Sequence, residues 1–194
     1  MSYDSTQDTL EHIRKVQARL QVCIHELTIR AAHHDESKLQ EPEKAGFDQI
    51  TEQLRDLAYG SPEYKAALQA NKPTIDHHYA HNSHHPEHWP TPEGKDIKQL
   101  KRDIRHLEDT GLDPADPEYD HIRFRLRADL VAMESRVNNM SLLDIIEMLC
   151  DWKASSERTK QGSIAASLVH NKQRFGISDQ LASILENTVK ELNW

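Results

Sequence analysis

The sequence predicts an all-α fold formed by amphipathic helices. Its 194 residues are 37% hydrophobic and 29% charged, a balance typical of helices with wide solvated faces. Apolar residues recur with the period of 3.6 that an α-helix requires, and glycine or proline stands where each pattern stops. The length favours a single domain over residues 1–194.

The individual helices follow from this period. The first is predicted from Thr9 to Ile29 by one apolar stripe, which consists of Ile13, Val16, Leu20, Cys23, Ile24 and Leu27. The others are predicted at Pro42 to Ala58, from Ser61-Pro62 onward, Thr74 to His84, Lys95 to Asp109, Pro117 to Asn138, Ser141 to Trp152, Ser163 to Arg174 and Ser178 to Leu192. Ser141 with Asp144 has the spacing of a capping box, and Ser178 is a predicted N-cap.

Composition also excludes several classes of protein. The formal charge of −8 argues against general nucleic-acid binding, and no apolar run reaches the 18 residues of a membrane span. The segment Met1 to Ser5 has no features of a signal peptide, and phosphate-binding glycine motifs are absent. Cys23 and Cys150 lie in apolar helical stretches, so we expect buried thiols in a reducing compartment, the cytoplasm.

His34 and Asp35 form the first candidate metal-binding motif. Adjacent imidazole and carboxylate groups at the end of a helical turn can reach one divalent ion, and the carboxylate can bridge to a second. The alternative interpretation of Asp35 is a helix N-cap.

Six of the 13 histidines lie within twelve positions: His77, His78, His81, His84, His85 and His88. If the helix continued to His85, then His78, Asn82 and His85 would share one face, and His77, His81 and His84 the neighbouring face. Such spacing predicts a metal site. The alternative is a solvated histidine-rich loop that binds metals adventitiously.

Two more residues complete the predicted ligand shell. His12 lies beside the apolar stripe of the first helix, where a partly buried core histidine is the alternative. Asp151 follows an apolar run and precedes Trp152, and a buried carboxylate requires a strong partner such as a metal ion or an ion pair with Lys or Arg. Asp144 is the rival candidate, although capping already accounts for it.

The order of these motifs resembles the HD superfamily of metal-dependent phosphohydrolases. His34-Asp35-x-x-Lys38 looks like the motif of cyclic-di-nucleotide phosphodiesterases and of di-iron oxygenases with the same fold. Residues 34–38, 78–89 and 143–153 are more closely similar to an uncharacterised, phage-associated family of HD-like proteins. Ser37 replaces a glycine of the phosphodiesterase motif, and a Gly-Tyr-Pro signature is missing after His88, so specificity for cyclic di-nucleotides is not carried over.

The resemblance implies a single HD-domain-like helical bundle. Residues 94–139 have no counterpart in the family pattern, so they are predicted to be an inserted helical hairpin that acts as a lid or an oligomer contact. The implied activity is hydrolysis of a phosphate ester, with a nucleotide as substrate, in the cytoplasm of the host if the protein is phage-encoded. The alternatives are a di-iron oxygenase of the same fold and a phage-encoded interaction protein with a structural metal.

The implied site holds one or two divalent ions, namely Mn, Fe, Co or Zn. The predicted ligands are His12, His34, Asp35, His77, His78, His84, His85 and Asp151. Asp35 and Lys38 are the predicted catalytic residues, and Lys38, Arg158 and Arg174 are predicted to bind the substrate, with surface ion pairing as the alternative for the two arginines. Tyr79, Trp89 and Phe175 are candidates either for stacking on a base or for the core. The expected partners are the small phosphorylated substrate and further copies of the chain, with no membrane contact.

Overall fold

The computed structural model describes residues 3–55, 57, 61–89, 97–110, 116–134, 136–158 and 162–194. All regular secondary structure in these ranges is helical, so the predicted all-α class is confirmed. The chain consists of two compact units, Met1–His78 and Tyr79–Trp194. No helix in the described ranges is both long enough and apolar enough to cross a lipid bilayer.

The first unit is built from helices around the His34-Asp35 turn. Its elements are α1 (Thr6–His33), a 3-10 turn (Glu36–Leu39), α2 (Glu43–Leu54), α3 (Pro62–Ala70) and the start of α4 (Lys72–His81). α1 continues four residues beyond the predicted end at Ile29 and stops at His33, because Asp35 adopts the left-handed conformation with φ of 57° and redirects the chain into the 3-10 turn. α3 begins as predicted, with the Ser61 hydroxyl accepting a hydrogen bond from the backbone N–H of Tyr64.

Gly46 allows a close approach of α2 and α4. A Cβ atom at Gly46 would lie 2.1 Å from Oγ1 and 2.8 Å from Cβ of Thr74, so only glycine fits there. Glu43 lies nearly one turn before Gly46 on α2, and His77 and His78 lie about one turn after Thr74 on α4. The glycine contact therefore brings an acidic residue of one helix beside two histidines of the other.

The Gly46→Ala variant is expected to be less stable than the natural protein by about 1–3 kcal/mol, because its methyl group overpacks the contact with Thr74. Helix propensity alone predicts the opposite sign, a gain of about 1 kcal/mol. Urea unfolding of the full chain measures the difference. Adding Thr74→Gly removes all three clashing atoms and is expected to recover part of the loss. A more stable single variant would contradict the close approach.

The second unit contains the main hydrophobic core. Its helices after α4 are α5 (Ile97–Asp109), α6 (Pro117–Glu134), α7 (Leu142–Ser156), α8 (Ile164–Phe175) and α9 (Asp179–Glu191), with 3-10 turns at Pro86–His88 and Arg136–Asn139. Buried side chains of the last three helices pack together around Met148, Leu168 and Leu185. Ser141 and Asp144 form the predicted capping box, and Ser178 is the N-cap of α9 as predicted.

Three local predictions differ from the structure. α4 ends at His81 rather than His84, so His84 and His85 lie in a turn and the two predicted histidine faces are not formed. α6 ends at Glu134, short of Asn138, because the chain tightens there into a 3-10 turn. The prediction of buried thiols is wrong, because Cys23 and Cys150 are both exposed. Cys23 is exposed because no residue of α1 is buried, and Cys150 is exposed because the preceding residues Met148 and Leu149 occupy the core-facing positions of α7.

α5 and α6 pack against each other as a pair. Leu100 and Ile104 of α5 and Tyr119 of α6 are buried, and Arg127 forms an ion pair of 2.6 Å with Glu108. Gly94, at the start of the predicted hairpin, and residues 111–115, between its two helices, lie outside the described residues. The proposed role of this segment as a lid or oligomer contact stays a prediction.

Candidate metal-binding sites

A buried histidine–carboxylate array lies in the first unit. Glu43 is fully buried and its Oε2 lies 2.9 Å from Nδ1 of His78, which is also buried. Its other oxygen, Oε1, lies 2.8 Å from Nδ1 of His77, and the Ser37 hydroxyl donates to Oε2 at 2.8 Å. One carboxylate therefore fixes the ring orientation of both histidines. With Nδ1 of His78 bonded to Glu43, the nitrogen that would coordinate an ion is Nε2.

Asp35 lies at the coordinating side of His78. Its Oδ1 is 3.2 Å from Nε2 of His78, and its Oδ2 is 3.6 Å from Nε2 of His34 and 2.5 Å from Nζ of Lys38. The side chain makes no capping hydrogen bond, so the N-cap alternative does not account for this residue. Oδ1 of Asp35 faces His78 and Oδ2 faces His34. This arrangement would suit a carboxylate that bridges two ions, and it would equally suit a carboxylate that Lys38 orients toward a single ion.

The distance between His78 and Asp35 is compatible with a shared ion. Two atoms that each lie about 2.1 Å from a metal are about 3.0–3.4 Å apart for ligand angles of about 90–109°. The observed 3.2 Å between Nε2 and Oδ1 falls in this range. The ring of Phe47 packs against the His78 ring in an edge-to-face contact, with centroids 5.2 Å apart, and this contact restricts the orientation of the imidazole.

Glu43 is ionised in this environment. Burial opposes its charge, but hydrogen bonds from His77, Ser37 and His78, with the charge of His78, outweigh burial and hold the pKa of Glu43 below its ordinary value. The sequence patterns did not predict Glu43 as part of the site. Acidic residues are common in the first turn of a helix because their charge is favourable beside the positive end of the helix dipole, so Glu43 carries no special signal. The close approach of α2 and α4 at Gly46 brings Glu43 to His77 and His78.

A second array lies in the other unit. Ligand atoms of His84, His85 and Asp151 all lie within 4.8 Å of one another. Nδ1 of His84, a buried residue, lies 3.2 Å from Oε1 of Glu147, so Nε2 is again the nitrogen that would coordinate an ion. The rings of His84 and His85 are 4.1 Å apart. The sequence patterns did not predict Glu147 as part of a site, as they did not predict Glu43. Glu147 lies one helical turn before Asp151, where it resembles an ordinary surface carboxylate.

The candidate ligand atoms of this second array are nitrogen and oxygen. Ser83 donates to Oδ1 of Asp144 at 2.6 Å, so the rival candidate Asp144 is occupied by capping and by this contact. Although the Cys150 residue is exposed, partial desolvation of its thiol and the negative charges of Glu147 and Asp151 raise the pKa of this thiol. Imidazole and carboxylate ligands without thiolate suit Mn, Fe, Co or Zn.

His12 does not approach His34. Both belong to the continuous helix α1 or its C-cap, so they are separated by about 33 Å along the helix axis. His12 is exposed and lies in an apolar groove of α1 beside Val16 and Leu20. The structure therefore does not bring this predicted ligand to the His34-Asp35 pair of the same chain.

The predicted phosphate-binding residues occupy different positions. Lys38 contacts Asp35 and lies over the Phe47 ring, 4.9 Å from its centroid. Arg174 forms an ion pair with Glu87 at 2.6 Å, which is the alternative interpretation for this residue. Arg158 is exposed just beyond the end of α7.

Of the candidate base-stacking residues, Phe175 belongs to the core. It is buried and stacks on Trp152, with ring centroids 6.1 Å apart. Trp89 is partly buried against the same core and donates from Nε1 to the carbonyl of Ser83 at 2.9 Å. Tyr79 contacts the ring of His85, with centroids 4.9 Å apart, so it lies beside a predicted ligand.

Comparison with known proteins places the chain in one family. No curated protein and no solved structure matches it. The model of DUF5662, described as a family of unknown function, matches residues 1–112 and 117–191. This match includes most of residues 94–139, so the paired helices α5 and α6 belong to the family pattern. The match covers both arrays and nearly the whole chain, and the protein is therefore a member of DUF5662, a family of unknown function.

Proposed function

We propose that this protein is a metal-dependent phosphohydrolase that acts on a nucleotide or a related phosphate ester. The observation that carries the proposal is the buried contact series from Glu43 through His78 to Asp35. A carboxylate that orients a histidine toward an acidic ligand is the usual support of a metal centre. The burial of Glu43 and His78 lowers stability unless partners compensate for it, because charged and polar groups lose hydration in the interior. A metal ion would be such a partner.

The residues of the first array have distinct roles in this proposal. In this proposal His78 would supply a ring nitrogen, Asp35 would supply negative oxygen, and Glu43 would hold the imidazole in a fixed orientation. A divalent ion held by these residues would supply a bound water of lowered pKa as the nucleophile and positive charge for the phosphoryl oxygens. His34, on the other oxygen of Asp35, is the further proposed ligand in this unit.

Lys38 is the proposed phosphate contact. Its ammonium group is held between Asp35 and the face of Phe47, so its position is set before a substrate arrives. A phosphate oxygen near Asp35 would receive a hydrogen bond and a positive charge from this group at little cost in side-chain entropy. Lys38 and Asp35 are thus proposed to act on the same phosphoryl group, the first by charge and the second by holding the ion.

One array lies in the described part of the first unit and one in that of the second, so we propose up to two ions per chain. Glu147 and His84 in the second unit repeat the relation of Glu43 and His78 in the first. His85 and Asp151 would complete the ligands there. That all these residues serve one reaction stays a prediction.

The proposal is tested by elemental analysis of the purified full chain, followed by turnover of a nucleotide panel with Mn²⁺, Co²⁺ or Fe²⁺ added after chelation. Release of inorganic phosphate or of a nucleoside monophosphate that depends on the metal is expected. Bound iron with a mixed-valent spectrum and no phosphate release would favour the oxygenase. Metal whose removal unfolds the chain, with no turnover, would favour a structural role.

The His84→Ala variant separates the two arrays. Removing this imidazole is expected to lower the affinity of the second array for Mn²⁺ by at least about tenfold, because Glu147 then orients no ligand. Calorimetric titration of the chelated protein with Mn²⁺ measures the change. His121→Ala, an exposed histidine on α6, is the matched control and should titrate as the natural protein does. Identical titrations of all three proteins would remove the second array from the proposal.

A further inference from the structure

α1 presents an apolar stripe whose side chains are exposed or half-buried in the part of the chain that the structure describes. The helix has 28 residues, and none of them is buried. Leu20 is 57% exposed and Ile24 53% exposed, in the middle of the helix. Helices in proteins derive most of their stability from packing an apolar face, so a helix of this length without such packing calls for a partner. The stripe is therefore a docking surface.

The spacing of the stripe matches a coiled coil. Ile13, Val16, Leu20, Cys23 and Leu27 are separated by alternating steps of three and four residues. This alternation is the heptad pattern of core positions, which pack between the side chains of a second helix of similar length and pattern. Arg30 takes the next core position. The simplest partner with the same length and pattern is α1 of a second copy.

The charges on α1 select the antiparallel orientation. A parallel pair would place Arg30 opposite Arg30 of the second copy, which repels. An antiparallel pair instead layers Leu20 on Cys23, Val16 on Leu27 and Ile13 on Arg30, so the aliphatic stem of the arginine covers an isoleucine. Four of these six symmetric layers are wholly apolar.

The flanking positions give the same orientation. Arg19 and Glu26 lie seven residues apart beside the core positions. An antiparallel pair brings Arg19 beside Glu26 of the second copy, and two-fold symmetry makes this ion pair twice. In a parallel pair Arg19 would instead face Ile24, and Glu26 would face Ala31. The Glu26 side chain is 45% exposed in the single chain while it contacts Arg30, so it is accessible to a second cation.

We infer that α1 forms an antiparallel two-helix coiled coil with α1 of a second copy, which makes the protein a homodimer. The inference rests on the exposed stripe and the charge pattern of α1, and it is independent of any metal-dependent activity.

Charge exchange tests the inference in the full chain. Sedimentation at a series of concentrations is expected to give a species of twice the chain mass. Arg19→Glu alone, and Glu26→Arg alone, should each raise the dissociation constant by about tenfold or more, because each replaces two attractive pairs by two repulsive ones. The double variant should return it close to the natural value. A natural protein that stays monomeric, or a double variant no tighter than the single ones, would overturn the inference.

Substitution in the stripe supplies a second test. Leu20→Glu should leave a monomer whose helical content by circular dichroism falls only in α1, because that helix loses the partner of its apolar face while the main hydrophobic core contains no residue of α1. Gln21→Glu adds the same charge on the outer face and should stay dimeric. A dimer that persists in Leu20→Glu would place the contact elsewhere.

Orientation is measured by oxidation in a Cys150→Ser background. Cys23 of the two copies would be offset by about 4.5 Å along the axis of an antiparallel pair, so it should not cross-link alone. Adding Leu20→Cys places a second thiol in the same layer as Cys23 of the other copy and should give a linked dimer. Efficient linking through Cys23 alone would show a parallel pair and overturn the orientation.

Discussion

The Asp35→Ala variant is expected to lose bound metal and phosphohydrolase turnover together. Asp35 contacts His78 through one oxygen and Lys38 and His34 through the other, so its carboxylate links the two proposed histidine ligands to the proposed phosphate contact. Its removal takes away the only negative ligand on this side of His78 among the contacts described. Elemental analysis and phosphate release on the same preparation measure both effects.

Asp48→Ala is the control for this substitution. Asp48 is an exposed carboxylate on α2 whose partner is Lys44, so its loss should leave metal content and turnover unchanged. Full activity in Asp35→Ala would remove the proposed mechanism. Retained metal with lost turnover would assign Asp35 to catalysis alone, through its contact with Lys38.

The Glu43→Gln variant is expected to keep the fold and to bind metal about 10–100-fold more weakly, because a residue that orients a ligand typically contributes that much to affinity. Glutamine retains the shape of the side chain, but it removes the charge that both His77 and His78 contact. Its amide group would also face the Ser37 hydroxyl, which now donates to a carboxylate oxygen. Competition with a chelator of known affinity measures the loss.

Glu41→Gln gives a matched comparison, since Glu41 is exposed just before α2. That variant should compete with the chelator as the natural protein does. If Glu43→Gln and Glu41→Gln were equally good binders, Glu43 would support the fold only, and the array would not be a metal centre.

The helices were largely predictable from local sequence. Ser141 with Asp144 and Ser178 fix the starts of α7 and α9 through their own backbone neighbours, so short-range patterns suffice. The end of α4 was not predictable in this way. The segment beyond His81 has no apolar period to mark a boundary, and the turn there depends on the hydrogen bond of Ser83 to the distant Asp144 and on the packing of Trp89 against the core.

The candidate sites were predictable only in part. His34, Asp35 and His78 stand out by residue type, and the structure brings them together in the first unit. Glu43 and Glu147 carry no distinguishing pattern, because a glutamate near a helix end or on a helix face is ordinary. Their roles follow from tertiary packing, and for Glu43 from the absence of a side chain at Gly46.

The exposed thiols and the position of His12 show a second limit of sequence-based prediction. An apolar stripe predicts that a helix face will be covered, but it does not say by which chain. No residue of α1 is buried in the structure, so Cys23 is exposed, and His12 lies far from His34 because one continuous helix separates them. The apolar period of a sequence predicts which face of a helix is covered. Only the tertiary or quaternary packing determines which residues cover that face.

A diffraction experiment on crystals grown with Mn²⁺ tests the central claim most directly. Anomalous scattering should place an ion about 2.0–2.2 Å from Nε2 of His78 and from Oδ1 of Asp35, while Glu43 keeps its contact with Nδ1 of the same ring. Bound Mn²⁺ located only at other residues, with His78 and Asp35 in direct contact as a simple ion pair, would contradict the account.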